Sequence, residues 1–300
     1  MKTLPTLSII GAGRLGRTIG RLAAEHGAAR IAAVCCRSIE HAESAVTFIG
    51  AGIPIHDIAS VPDSDLVLLS VPDGEIAGVA QQLAQATLSP GGLVFHASGV
   101  LDVSVLAPLR SRDILLGSLH PAYSFADPAR AVAGFPGTLC ALEGDEAGCQ
   151  ALEAFTRLIG GRPFRLAAGG KASYHAALSI ASNFLVTLTG LAQSVAREAG
   201  IDPGLSRDLL GGLMRQTLDN ALALGPDAAL TGPIVRGDAE TVARHLHALR
   251  CPSEREIYLA LARATLRLAR PRLDEVHFQA LSSLLACDSV TGRGEYSCGI

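Results

Sequence analysis

The sequence predicts an α/β fold: a doubly wound, Rossmann-type parallel sheet domain followed by an all-helical domain. Three observations carry this. An apolar run ends in Gly11-Ala12-Gly13-Arg14-Leu15-Gly16, a G-x-G-x-x-G, and passes directly into helical spacing. Short apolar runs suited to buried parallel strands then alternate with helical patterns as far as Arg165. Beyond Arg165 the spacing is helical, with no strand pattern between the helices.

In order, residues 6–10 read as the first strand and 14–26 as the first helix. Arg30 to Cys36 read as a second strand, followed by a helical pattern through Phe48. A short extended piece at Ile53–His56 precedes Asp65 to Val71, a continuous apolar run fit for a central strand. Helix 75–87, strand 92–96, a short helix at 103–109 and strand 114–119 continue the alternation. Strand 137–142, helix 146–159 and strand 162–166 extend the same sheet. Ala167-Ala168-Gly169-Gly170 reads as a hinge, dividing a domain over 1–166 from one over 167–300. Helices are expected at 170–198, 203–223, 238–249, 252–269 and 272–286, with a mobile tail from Asp288.

Strand, G-x-G-x-x-G, helix and strand within about thirty residues is the setting of a dinucleotide-binding turn. Gly11 permits the tight turn, Gly13 the approach of a diphosphate and Gly16 close packing of helix on strand. Free N–H groups and the helix dipole then favour the phosphates, so Gly11, Ala12, Gly13, Arg14, Leu15 and Gly16 are cofactor candidates. Where an NAD site usually carries Asp or Glu, this chain has Cys36-Arg37-Ser38. An arginine and a hydroxyl at Arg37 and Ser38 suit a 2′-phosphate and predict NADP. Ser70-Val71-Pro72 ends a central strand, at the edge where open α/β sheets bind ligands, which makes Ser70, Val71 and Pro72 cofactor candidates; the alternative is an ordinary strand-to-helix turn with Asp73 capping the helix.

His96 and Ser98 end the next strand and His120-Pro121 the one after, so successive strand ends carry polar groups to one edge. Imidazole exchanges protons near neutral pH, which marks His96 as a cofactor candidate and Ser98 and His120 as substrate candidates.

Lys2 and Lys171 are the only lysines, against 23 arginines. An ammonium kept at Lys171 points to a group that must shift its pKa and move a proton, which guanidinium does not do. His175 lies four residues on, on the same helical face, and Asn183 lies near the edge of that stripe. Lys171 and His175 are therefore the catalytic candidates; the alternative is a solvated helix start and a core histidine. In Thr231-Gly232-Pro233-Ile234-Val235-Arg236-Gly237-Asp238, Arg236 would bind a substrate carboxylate or pair with Asp238 to hold the loop.

A net charge of −3 and the absence of basic runs give no reason for nucleic acid or an anionic membrane. The N-terminus reads as no secretory signal, and seven cysteines without C-x-x-C read as reduced, buried thiols of a cytoplasmic protein, with no metal site. Ala176 to Ala196 lacks charge, yet its hydroxyls and amides suit a helix buried among helices better than a membrane span. So apolar a helical half predicts a homodimer through that domain.

Over nearly its full length the chain resembles the 6-phosphogluconate dehydrogenase-like superfamily, which includes β-hydroxyacid dehydrogenases, ketopantoate reductases and pyrroline-carboxylate reductases. The resemblance is closest to a little-characterised branch in which a Rossmann-like domain precedes a helical domain of unknown function. Its motifs look like His96-Ala97-Ser98-Gly99, His120-Pro121, Lys171-x-x-x-His175 with Asn183, and the Thr231–Asp238 loop. In better-known relatives a lysine followed four residues later by asparagine polarises the substrate oxygen. Lys171 matches that lysine, while the partner position holds His175. His120-Pro121 is similar to a motif of prephenate and arogenate dehydrogenases, where the histidine meets substrate.

The resulting expectation is an NADP-dependent oxidoreductase. It would move a hydride to or from a small carbonyl/hydroxy or imine/amine compound in a cleft between the domains. The alternatives are an NADP(H) sensor or scaffold without catalysis and a prephenate/arogenate dehydrogenase-like enzyme.

Overall fold

The computed structural model describes residues 4–86 and 88–286. The expected tail from Asp288, Cys287, Cys298 and Thr87 at the end of the expected 75–87 helix lie outside the described residues. The chain forms two compact units, Met1–Ser182 and Asn183–Ile300.

The first unit is built on β1 (Thr6–Ile10), α1 (Arg14–Glu25), β2 (Arg30–Cys35), α2 (Ile39–Ile49), β3 (Ile53–Ile55), β4 (Leu66–Leu69), α3 (Asp73–Leu83), β5 (Leu93–His96) and β6 (Leu115–Pro121). There follow α4 (Pro128–Gly134), β7 (Leu139–Gly144), α5 (Glu146–Leu158), β8 (Arg162–Arg165) and α6 (Lys171–Ala181). A 3-10 helix, Val103–Arg112, links β5 to β6.

The eight strands form one sheet in the order β3-β2-β1-β4-β5-β6-β7-β8. The first six are mutually parallel, the doubly wound order whose direction reverses between β1 and β4. The extension departs from the expected parallel run. β7 is antiparallel to β6 and β8 parallel to β7. Between β6 and β7 there is only the short α4, capped by Asp127 and not evident in the hydrophobic spacing, and no long crossover helix of the kind parallel pairing needs.

Strand alternation sorts the core into two layers. Leu7, Ile9, Leu68 and Phe95 face one side with Ile19, Leu22, Ile49 and Phe155 of α1, α2 and α5. Ile10, Val67, Leu69 and Val94 face the other with Ile76 and Leu83 of α3 and with Leu106 and Leu109. Each such side chain contributes roughly 1.5–3 kcal/mol of burial. The result is a stiff frame whose strand ends hold the polar residues.

The second unit contains α7 (Asn183–Glu198), α8 (Pro203–Leu224), α9 (Pro226–Ala229), α10 (Ala239–Ala248), α11 (Pro252–Ala269) and α12 (Glu275–Ala286). Its core is formed by Val242 and Leu246 of α10, Leu259 and Leu266 of α11, and Leu281 and Leu285 of α12, joined by Ile234 and Val235. The helix expected over 170–198 is interrupted. Ser182, at φ −114° and ψ −66°, separates α6 from α7, at a Ser-Asn pair whose side chains compete for backbone hydrogen bonds. By length and composition Lys171–Glu198 could cross a membrane, but neither of its two helices alone, of 11 and 16 residues, reaches a span of about 20.

Cys35, Cys36, Cys140 and Cys149 are free thiols, as expected. Burial pushes Cys35 up to about 11 and Cys140 to about 12, so both stay protonated. Cys251 departs from the expectation: it is disulfide-bonded.

Candidate active site

The glycine-rich turn sits at the carboxyl end of β1, beside the β1/β4 switch. Gly11 has φ +84°, and a Cβ there would lie 2.6 Å from Val71 Cγ1 and 2.9 Å from the Ser70 carbonyl oxygen. At Gly16 a Cβ would lie 2.5 Å from the Gly11 oxygen, whereas at Gly13 it would meet nothing within 4 Å. Two glycines are thus required by packing, and the third faces open space at the start of α1. Gly11 N–H donates to Cys35 O (2.8 Å) and Ser70 N–H to Ile10 O (2.8 Å). The Ser70 hydroxyl donates to the Gly11 carbonyl and so bolts the β4 turn to the glycine turn. Leu15 packs against the first core layer and Arg14 is exposed. The Ala12 carbonyl accepts from Arg17 Nε at 3.1 Å. No side chain caps α1 and no acidic residue lies in its first turn, which leaves its N-terminal N–H groups suited to an anion.

Arg37 is exposed with no ion-pair partner among the described residues. Ser38 is the N-cap of α2, its oxygen accepting from His41 N–H at 3.4 Å. Its hydroxyl also holds the Glu40 carboxyl below its usual range, second to a backbone hydrogen bond. Part of Ser38's capacity is therefore used locally. Pro72 N-caps α3 without a side-chain bond, and Asp73 is that helix's first residue, not its cap.

At the ends of β5 and β6 the structure gathers His96, Ser98, Ser118, His120, Lys171, Tyr174 and His175. His96 is fully buried; its Nδ1 accepts from Ser98 N–H (3.2 Å) and its Nε2–H donates to Asp102 O (3.3 Å). Burial, then the nearby Lys171, lowers its pKa to about 3. It is a neutral pin of the turn, with both nitrogens committed. Ser98 Oγ accepts from Val100 and Leu101 N–H (3.2 and 3.0 Å), which shapes the same turn.

Lys171 is 3% exposed. Its Nζ donates to the Ser98 carbonyl (2.7 Å) and to Ser118 Oγ (2.9 Å). Glu143, which accepts from Val103 N–H at 2.9 Å, lies 3.5 Å from Ser118 Oγ through the same carboxylate oxygen. Burial lowers Lys171 to about 8, while Glu143, Asp102 and Asp73 hold it from falling further. These anchors tie the start of α6 to the strand ends and carry the first unit past the 167–170 hinge to Ser182.

His120 Nδ1 is 3.0 Å from Tyr174 Oη, and its ring packs edge-on against Tyr174 and His175, with centroids 5.6 and 5.8 Å away. Gly99 completes the nook. A Cβ there would lie 2.4 Å from His175 Cδ2 and 2.8 Å from His120 Nε2. Burial, then Lys171, lowers His120 to about 4, and burial pushes Tyr174 up to about 12.

Tyr174, Ser118 and Glu143 were not singled out from the sequence, and Gly99 entered only within the His96-Ala97-Ser98-Gly99 motif. Tyr174 lay within Lys171-x-x-x-His175, but the pairing of β6 with β7 that brings Glu143 opposite Ser118 leaves no local signature. Asn183 and Arg236, both exposed, belong to the second unit. Arg236 forms no ion pair with Asp238, whose carboxylate accepts from Thr241 N–H (3.0 Å) and Thr241 Oγ (2.7 Å) to cap α10. Among the described residues no group of three His, Cys, Asp or Glu suits a metal.

Sheet order, glycine turn and strand-end cluster together define a Rossmann-type dinucleotide-binding architecture. Residues 3–121 match the Rossmann-like domain family and residues 138–265 the domain of unknown function DUF2520. The chain thus carries a Rossmann-like domain followed by DUF2520, the pairing its motifs resemble. Three solved structures share the fold. A Bacteroides fragilis protein, provisionally assigned as an NADP oxidoreductase, is 22% identical with TM-score 0.74, covering 88% of this chain and 98% of its own. Protein TM1727 from Thermotoga maritima is 26% identical with TM-score 0.67 and the same coverage of both chains. A reductive aminase from Aspergillus terreus, solved with NADPH and ethyl levulinate, is 17% identical with TM-score 0.63, covering 95% of this chain and 99% of its own. No curated protein sequence matches the chain significantly.

Proposed function

We propose that the chain is an NADP-dependent oxidoreductase that moves a hydride to or from a small carbonyl/hydroxy or imine/amine compound. The carrying observation is the buried Lys171 ammonium, fixed by Ser98 O and Ser118 Oγ among histidines held neutral at the strand ends. NADP fits the open space at Gly13, the uncapped start of α1 and the exposed Arg37. The fold neighbours include an NADPH complex. When bound, NADPH supplies the hydride.

The chain's own residues handle the proton. Two Lys171 N–H groups are engaged, which leaves one for a substrate or a water. In reduction Lys171 protonates the substrate heteroatom; in oxidation its neutral amine takes that proton back. His175, one turn along α6, borders the same nook and orients the substrate. Ser98 and His120 remain the proposed substrate contacts on the first unit.

The test is NADPH oxidation against 2-keto acids, 2-ketolactones and cyclic imines. Lys171→Ala should lower turnover about 10²–10⁴-fold while leaving NADPH affinity nearly unchanged. Wild-type turnover in that variant removes Lys171 from catalysis. Tight NADPH binding without turnover of any compound favours a sensor.

We further propose a homodimer through the second unit, whose α7 and α8 carry large apolar side chains in the open, among them Val186 at 72% and Leu222 at 77% exposure.

A further inference from the structure

We infer that Tyr174 is a positioning residue that holds His120 as a neutral Nε2–H donor, and that the group taken between this donor and Lys171 is a carbonyl oxygen, not an iminium nitrogen. The inference rests on the oxidoreductase reading and narrows its substrate class.

The hydrogen-bond distances favour one tautomer. Tyr174 Oη has one proton and two acceptors in reach, His120 Nδ1 at 3.0 Å and the His120 carbonyl at 3.5 Å. The second distance is beyond the usual 2.5–3.0 Å of O–H···O bonds, approximately, whereas the first is a sound bond between a phenol and a good nitrogen acceptor. With the phenol proton on Nδ1 the ring's own proton sits on Nε2; the reverse arrangement, Nδ1–H donating to Oη, would leave the phenol only the longer contact to the His120 carbonyl. Nε2 lies against Gly99, where a Cβ would lie 2.8 Å away.

Both groups hold the protonation state that this arrangement requires. A phenol pushed up to about 12 keeps its proton, and an imidazole lowered to about 4 is neutral at pH 7. Protonating His120 would put a second hydrogen where the phenol proton already lies. Lys171 reaches the same turn through the Ser98 carbonyl, one residue before Gly99. A cation and a neutral N–H donor thus converge on the Ser98–Gly99 turn.

Such a pair suits an oxygen that gains negative charge. As the hydride and its electron pair add to the carbonyl carbon, the C=O π pair moves to oxygen. Lys171 gives that oxygen its proton and is recharged from solvent. An iminium nitrogen has no lone pair to accept either donor, and its charge is repelled by Lys171. The carboxylates around the site do not offset this. Glu143 is engaged by Val103 N–H and Asp102 by Ser104, and only Asp73 is left to act on His120 at longer range.

Two readouts on the full-length protein test the inference. NMR of the His120 ring nitrogens should show the Nε2–H tautomer in the wild type and a mixture in Tyr174→Phe, with His120 titrating at higher pH in the variant. An Nδ1–H tautomer in the wild type, or one unchanged by Tyr174→Phe, overturns Tyr174's role without reference to activity. Paired assays with NADPH should favour a cyclic ketone over the matching cyclic imine, and His120→Leu should lower ketone turnover about 10²–10³-fold. Faster reduction of the imine, or a His120→Leu variant that turns over ketone normally, overturns the substrate class. If neither compound is reduced, the oxidoreductase reading falls and takes the substrate class with it, while the tautomer is still decided by NMR.

Discussion

Lys171 combines a buried ammonium with carboxylates just beyond its hydroxyl and carbonyl partners, and this balance has a readable pH signature. Its pKa of about 8 means that a reduction needing the ammonium should run at full rate below pH 8 and lose about tenfold per pH unit above it. Glu143 supports the charged form, so Glu143→Gln should move that descending limb to lower pH. An unmoved limb would assign it to another group. Stability follows linkage. His96, buried and neutral, has a folded pKa of about 3, below its unfolded value of about 6.5. The unfolded chain binds more protons between those values, so stability should fall as pH drops from about 6.5 towards 3. Cofactor preference is tested at Arg37. Arg37→Asp should weaken NADPH binding far more than NADH binding, since a carboxylate there repels the 2′-phosphate; equal losses would contradict NADP. Lys171 stood out in the sequence by its rarity. Tyr174, Ser118 and Glu143 did not, because ordinary residue types gain their roles only when distant strands pair.

At the element scale, the glycine turn separates packing from binding. A Cβ at Gly16 would press on the Gly11 backbone oxygen at 2.5 Å, which is not free to move. Gly16→Ala should therefore destabilise by about 1–3 kcal/mol and lower the melting temperature. A Cβ at Gly13 meets no protein atom, so Gly13→Ala should melt like the wild type yet bind NADPH more weakly. Thermal melts with NADPH titrations check both; normal NADPH affinity in Gly13→Ala would remove the diphosphate from that space. The strands and helices through Arg165 were legible because burial on both sheet faces writes continuous apolar runs into the sequence. The antiparallel β7, the short α4 and the break at Ser182 were not, since the spacing on either side of each is unaltered. The break matters for function: Lys171, Tyr174 and His175 all lie on α6, within the sheet unit.

At the scale of the whole molecule, the second unit carries apolar side chains in the open that the proposed homodimer would cover. Leu205, Leu209, Leu213 and Leu222 of α8 are largely exposed, while the core of that unit is drawn from α10, α11 and α12 with Ile234 and Val235. Each exposed leucine forgoes roughly 1.5–3 kcal/mol of burial that a second copy would supply. Polar groups point the same way. A cleft of about 670 Å³ between α7, α8 and the start of α11 is lined by Val186, Gly190, Arg197, Ser206 and Glu254. Ser206 Oγ and Glu254 Oε2 are buried there without hydrogen-bond partners. A buried carboxylate oxygen so left is costly, and a basic side chain from a second copy would relieve it. Arg215 of α8, free of ion pairs among the described residues, is the candidate. Light scattering at micromolar concentration should give twice the chain mass. Leu209→Asp with Leu213→Asp should halve it while leaving the Rossmann-like unit able to bind NADPH, because that unit has its own two-layer core. A wild-type monomer at that concentration would overturn the homodimer.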